Sequence, residues 1–304
     1  MANQKMCSLD VSSLFTNVPL IETVDYICQF ITINSINLPI QLDTLRELIL
    51  RCTLGIQFQF NGQFWRQNDG VAMGSPLGPI LADIFMSKLE RDQLSSVIAT
   101  FKCYTRFMDD IFVILAEDTN LEDVVSQFNQ AHPFIRFTHE VEIDGRFQFL
   151  DVGLHKMVDG RLQRTVFRKS TWSGQYTHFQ SFVPMQQKRN LVKCLAYRAR
   201  RICSPETLEE ELKFVSSVLR QNGYPDRFID KYLNEGERKE QVPVASKKLL
   251  FMRLPFYGDN AADTVVRRLN STINHTFPMA RLFCSFQCNK LLPIHLKDKI
   301  PVHN

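Results

Sequence analysis

Three carboxylates set inside strand-like runs constrain this chain more than any other feature. Asp10 lies in Ser8-Leu9-Asp10-Val11-Ser12-Ser13-Leu14-Phe15. The pair Asp109-Asp110 lies in Tyr104-Thr105-Arg106-Phe107-Met108-Asp109-Asp110-Ile111-Phe112-Val113-Ile114. Both runs are largely apolar and aromatic apart from the acids, as β-strands are. Adjacent acids between Phe107-Met108 and Ile111-Phe112 fit the tight turn of a hairpin. A third acid on a neighbouring strand completes a cluster of hard oxygen ligands. Such a cluster repels itself unless a divalent cation neutralises it. Two cations roughly 3.5–4 Å apart make a clamp suited to phosphoryl transfer.

The elements around these acids follow from periodicity and turn chemistry. A first strand is expected over residues 6–11. Helical periodicity covers 20–53, broken near Asn37-Leu38-Pro39. Residues 55–60 and 63–67 flank Asn61-Gly62, the signal of a hairpin with a primed turn. Gly70-Val71-Ala72-Met73-Gly74-Ser75-Pro76-Leu77-Gly78-Pro79 is a Gly/Pro-rich loop opening a helix whose apolar face is Ile80, Leu81, Ile84, Phe85 and Leu89. A short helix over 121–131 leads to strands over 134–141 and 146–154, joined at Asp144-Gly145. Beyond residue 165 the character changes. A strand-like stretch over 165–168 precedes aromatic-rich residues 172–182 and helices over 185–202, 205–221 and 225–233. Ser204 and Pro205 suit an N-cap and first turn. Residues 234–241 read as a polar linker, 249–254 as a strand, 261–276 as a helix and the remainder as irregular.

Charge matters through its distribution. The 304 residues carry a net charge of only +4, yet from Gly160 to Pro205 there are ten Lys or Arg and no Asp or Glu. That run suggests a polyanionic partner, the alternative being a solvated helix face. The eight Cys form no CxxC pair, there is no signal peptide, and no apolar run reaches bilayer length, which points to reduced thiols inside the cell and no membrane partner. Cys284 and Cys288 with His295 and His303 have poor spacing for zinc and read better as free thiols.

Taken in order, Asp10-x4-Phe15, the loop over 70–79 and Phe107-x-Asp109-Asp110 resemble the palm of reverse transcriptases. The details are similar to the polymerases of Penelope-like retroelements. They include Ser8 through Pro19, Met73-Gly74-Ser75-Pro76-Leu77-Gly78-Pro79, Phe137-Thr138-His139-Glu140, Phe149-Leu150-Asp151-Val152 and Phe167-Arg168-Lys169-Ser170-Thr171. Most other retroelements carry Gln where Met73 stands. The resemblance spans roughly residues 7–300.

The resemblance implies an α+β fold. A right-hand polymerase palm, an antiparallel sheet with packed helices, would cover residues 1–165. A basic, mostly helical thumb would cover 166–241 and a connector 242–304. It implies RNA-directed DNA polymerisation with two Mg²⁺ (Mn²⁺ as substitute), deoxynucleoside triphosphates and a DNA primer on an RNA template. Asp10, Asp109 and Asp110 would be the catalytic acids and, with the Val11 carbonyl, the metal ligands; Asp110 also fits a supporting turn acid. Phe15 would select deoxynucleotides, or be an ordinary core Phe. Gly74, Ser75 and Pro76 would form the floor under the template and nascent pair, because small residues let nucleic acid approach closely; otherwise they only start a helix. Phe149, Leu150, Asp151 and Gly153 would form the primer grip or a palm-edge strand. Arg168, Lys169, Lys188, Arg189, Lys193, Arg198, Arg200 and Arg201 would track duplex phosphates. The family's fingers, which precede Asp10, and its GIY-YIG endonuclease, which follows the connector, are not in this sequence. A fragment is therefore expected, acting in the nucleus, either as a polymerase or as a non-catalytic nucleic-acid-binding remnant. No Lys stands between Lys102 and Lys156 to protonate pyrophosphate.

Overall fold

The computed structural model describes residues 4–234 and 248–287. The chain divides into two compact units, Met1–Gln163 and Arg164–Asn304.

In the first unit β1 (Gln4–Val11) leads into α1 (Leu14–Asn17), α2 (Leu20–Ile33) and α3 (Leu42–Thr53). The hairpin β2 (Gln57–Phe60) and β3 (Gln63–Arg66) precedes α4 (Gly78–Asp92) and α5 (Ser95–Ile98). Then come β4 (Cys103–Phe107), β5 (Asp110–Ala116), α6 (Leu121–Gln130), β6 (Phe137–Val141), β7 (Arg146–Phe149) and β8 (Val152–Lys156). The main sheet has the order β4-β5-β1-β6, with antiparallel pairing throughout. Side chains alternate across a strand. One face therefore carries Cys7, Leu9 and Val11 of β1 and Ile111, Val113 and Leu115 of β5, all buried against Leu20, Leu81, Phe85, Leu89 and Phe128. This face holds the main core; the opposite face carries Met6, Ser8 and Asp10 of β1 and Asp110, Phe112 and Ile114 of β5, with Met6 and Ile114 also buried.

Turn chemistry sets the connections. Asn61-Gly62 and Asp144-Gly145 both have two successive positive φ angles, as a primed turn requires. The stretch expected to be one strand over 146–154 is instead a hairpin, β7 with β8, reversing at Leu150, whose φ is +51°. Strand β6 begins at Phe137 rather than 134. Helix α4 buries Gly78, Leu81, Ala82, Phe85, Met86 and Leu89. Ile80 lies off that stripe and is 55% exposed, correcting the expected face.

Strand β9 (Leu162–Val166) spans the division between the units. The second unit continues with α7 (Met185–Ile202), α8 (Pro205–Gln221) and α9 (Asp226–Leu233), packed around Val192, Ala196, Val215, Leu219, Tyr224, Ile229 and Leu233. The aromatic segment before α7 belongs to this core: Phe179 packs edge-on against Tyr224 and Phe228. Asn222 ties it to the α8–α9 turn, accepting from the Tyr176 N–H and donating to the Gly174 carbonyl. Ser204 stands at the α8 N-cap with Pro205 next, but its hydroxyl accepts the Arg164 N–H instead of capping the helix.

The final elements are β10 (Lys248–Pro255), α10 (Asp259–Thr276) and β11 (Ala280–Gln287), with the two strands parallel. Residues 280–287, expected to be irregular, form a strand with Ala280 and Leu282 buried alternately. The linker at 235–241 and Cys288, His295 and His303 lie outside the described residues.

Candidate active site

Antiparallel register brings the acids together. Asp10 is the cross-strand partner of Asp110, and the Val11 N–H donates to the Asp109 carbonyl at 3.1 Å. Asp10 thus sits on the face opposite the core, at the end of the β4–β5 turn. Burial, then the charges of Asp109 and Glu140, hold the Asp10 carboxyl above the usual carboxylate value. Like charges placed this close favour protonation or a bound cation.

Glu140 gains a role only from the structure. Its cross-strand partner is Ser8, and Thr138 faces Asp10, so residue 140 shares the face of Asp10. Period-two alternation from Thr138 was the available signal, but it needs the register. Among the described residues no three His, Cys, Asp or Glu close into a group that could hold a metal. Asp109 occupies the turn and Asp110 starts β5, so the adjacent acids are not equivalent, and opposed carboxylates repel. The donor set is nonetheless all hard oxygen, with like charge around Asp10, which fits Mg²⁺.

Phe15 lies half-buried in α1, packed against the main core cluster, and its carbonyl accepts the Val71 N–H at 2.6 Å. A Cβ on Gly70 would lie 2.3 Å from the Thr16 carbonyl oxygen, so only Gly permits this approach. A Cβ on Gly78 would come within 3.8 Å of the Phe15 ring. Gly74, at φ +89°, has open space about its Cβ direction, and Pro76 is exposed beside it. The Ser75 N–H donates to the Ala72 carbonyl, and its hydroxyl accepts the Leu77 N–H. The residues expected to form a floor therefore lie on an open turn heading α4. Phe149 packs on Phe112 with centroids 5.4 Å apart, and Phe147 at 5.9 Å. Phe112 lies two residues beyond Asp110, so the β7–β8 hairpin with Leu150, Asp151 and Gly153 sits on the face that carries the acids.

Sequence reasoning also missed Arg106. Its guanidinium, only 8% exposed, bonds Glu90, Asp83, Ser87 and the Met108 carbonyl. Its neighbour Tyr104 donates to Glu90 at 2.7 Å, and burial first, then that bond, raise the phenol pKa.

The basic set of the second unit separates into committed and available cations. Arg168 forms a two-pronged pair with Glu211 and lies over the Phe214 and Trp172 rings, at 4.4 and 5.1 Å. Lys188 is 7% exposed, with its ammonium 5.2 Å from the Phe179 centroid. Arg200 donates to the Leu233 carbonyl at 2.5 Å. In this structure the cationic groups of these three are engaged within the helical unit. Lys193 lies 5.4 Å over Tyr232, and Arg198 is half-buried with contacts of its own. Lys169 and Arg201 are exposed and Arg189 half-exposed. No helix of the described residues is long and apolar enough to cross a membrane.

The comparisons with known proteins fall on the same two regions. Residues 2–135, rather less than half of the chain, match the family described as reverse transcriptase (RNA-dependent DNA polymerase), and the fold over these residues is mixed α+β, an antiparallel sheet with packed helices. Residues 175–234, which span α7–α9, match the animal helix-turn-helix domain. No curated protein matches. Similar solved structures include telomerase from Candida albicans in complex with a fragment of telomeric RNA, at 14% identity and TM-score 0.47, covering 72% of this chain and 38% of that one. A second is the Sicinivirus RNA-dependent RNA polymerase, at 14% identity and TM-score 0.45, covering 76% and 51%. A third is an insertion-loop deletion mutant of the RNA-dependent RNA polymerase of a human picorbirnavirus, at 14% and 0.49, covering 76% and 45%. The chain thus spans no more than about half the length of these proteins.

Proposed function

We propose that this chain is the palm, thumb (166–241) and connector (242–304) of a Penelope-like retroelement reverse transcriptase. It extends a DNA primer on an RNA template in the nucleus. The observation that carries this reading is Asp10 beside Asp109 and opposite Asp110, with the loop-headed α4 behind them and the β7–β8 hairpin on their face. Asp10 and Asp109, assisted by Asp110 and the Val11 carbonyl, would hold Mg²⁺ or Mn²⁺. When bound, two such ions activate the primer hydroxyl and neutralise the triphosphate and leaving pyrophosphate. The chain's own residues do the positioning. Phe15 closes the space a ribose 2′-hydroxyl would need. Gly74, Ser75 and Pro76 admit the nascent pair. The hairpin at Phe149–Gly153 seats the primer end. Lys169, Arg189 and Arg201 neutralise duplex phosphates without reading sequence.

A second reading is a nucleic-acid-binding remnant without catalysis, favoured by the incompletely closed acid group. Primer extension on an RNA template with dNTPs and Mg²⁺, comparing this chain with Asp109→Asn, decides between them. Extension lost in the variant supports the polymerase. Salt-sensitive binding without extension in either protein supports the remnant.

A further inference from the structure

The geometry points to Arg106 as a positioning residue: it fastens the turn that carries Asp109 to helix α4. This inference rests on the polymerase reading of the acid site. A guanidinium has five N–H donors in a rigid fork. Here there are five contacts for them. Nε reaches Glu90 Oε1 at 2.5 Å. Nη1 reaches Asp83 Oδ1 at 3.0 Å and the Met108 carbonyl at 3.2 Å. Nη2 reaches Ser87 Oγ at 3.2 Å and Glu90 Oε2 at 3.3 Å.

The placement follows from strand alternation. Arg106 pairs across the sheet with Ile111, so it points to the helix-packed face, while its neighbour Phe107 pairs with Asp110 on the acid face. Asp83, Ser87 and Glu90 recur at helical spacing along one side of α4. The Met108 carbonyl is what Arg106 holds in the turn itself, and Met108 has φ +58°, a conformation a non-glycine residue keeps only when its surroundings impose it. The next residue is Asp109. One side chain therefore locks the turn bearing a candidate metal ligand to the helix that opens at Gly74-Ser75-Pro76. The acids and the floor of the nascent pair become one rigid body. Arg106 touches no substrate; it acts through the Met108 backbone.

The test is Arg106→Lys, which keeps the charge against Glu90 but cannot make the fork. Three readings are compared with the unaltered chain: amide hydrogen exchange at residues 107–110, Mn²⁺ affinity by electron paramagnetic resonance, and primer extension. We expect turn amides to exchange about tenfold faster and Mn²⁺ to bind about tenfold more weakly. The extension rate should fall while duplex KM and the thermal midpoint stay close to the parent values. Should the lysine variant not fold, Asp83→Ala at an exposed acid is the second probe, expected to show the same changes at about threefold. Turn exchange and Mn²⁺ affinity at parent values in a folded variant overturn the proposal. An unaltered chain that binds no Mn²⁺ refutes the metal reading of Asp10 and Asp109 instead, and the exchange measurement still decides the clamp.

Discussion

The two compact units treat charge in opposite ways. In the sheet unit, like charges are left facing one another: Asp10 with Asp109 and Glu140, on the face opposite the main core. Its most buried guanidinium, Arg106, is bonded to acids and oxygens on every side. In the helical unit the excess is cationic, yet Arg168, Lys188 and Arg200 are absorbed by a carboxylate, aromatic rings and a helix-end carbonyl. Only some of that basic run is offered to a ligand. Charge density along a sequence therefore overstates a binding surface on packed helices, and understates one on a strand, where the pleat alone collects alternate residues.

The largest expected effect tests the acidic half of this contrast. Metal-bound carboxylates supply several kcal/mol of transition-state stabilisation. Asp109→Asn should therefore lower extension on the order of a thousandfold, measured as product per minute on a primed RNA template, while the fold is retained. Relief of like-charge repulsion should leave the variant at least as stable as the parent, which a urea melt would show.

The second prediction tests the absorbed cations. Arg168→Met strands Glu211, whose side chain is only 11% exposed, and removes the guanidinium between Trp172 and Phe214. Breaking a buried pair from one side costs about 3 kcal/mol, read as a lower melting point of the helical unit. A double change, Arg168→Met with Glu211→Leu, should recover most of that loss. No recovery would mean that Arg168 acts outside this pair.

The legible part of the molecule was the part written in periodicity and turn chemistry. The bounds Met185–Ile202 and Pro205–Gln221 and the Asn61-Gly62 turn follow from spacing and residue type alone. The reversal at Leu150 was not legible, because a leucine with positive φ carries no turn signal. Ile80 was placed inside because it is apolar, but the phase of α4 is set by Leu81, Phe85 and Leu89. Asp10 and Asp109 could be paired by reading two strands. Glu140 needed the β1–β6 register, and Arg106 needed partners 16 to 23 residues away on a helix.

Two further changes probe how tightly the sheet unit is built. Gly70 has φ +71°, and a Cβ there would collide with the Thr16 backbone. Gly70→Ala should cost about 3 kcal/mol and disturb the Val71–Phe15 hydrogen bond, so both the urea midpoint and ribonucleotide discrimination should change. Cys7, on the core side of the strand that bears Asp10, has its thiol pushed up to about 12 by burial, with Glu142 adding to it. Unfolded, the thiol titrates near 8.5. Because the folded value is the higher one, this contribution is intact below about pH 8.5 and is lost as pH rises toward 12. Between pH 8.5 and 10 the unaltered chain should lose about 2 kcal/mol more than Cys7→Ala, measured as the difference in their urea midpoints. Equal losses would show that the thiol ionises without unfolding.

The smallest effects carry the finest distinction, between cations that are present and cations that are available. Arg201→Ala removes an exposed charge near the end of α7, and Lys169→Ala another from the segment after β9. Neither anchors a core contact in this structure, so stability should change by less than about 0.5 kcal/mol. Each cation that meets a phosphate releases counterions, so each loss should reduce the salt slope of duplex binding by about one. Lys188→Met lies on the same helix and removes the same charge, yet it replaces an ammonium already turned toward Phe179. Its salt slope should match that of the unaltered chain, and its melting point should hold or rise, since an apolar side chain of similar length suits that site better. If all three changes weaken binding alike, the helical unit acts through net charge alone. If Lys188→Met stands apart, the packing of the helical unit decides which cations nucleic acid can reach.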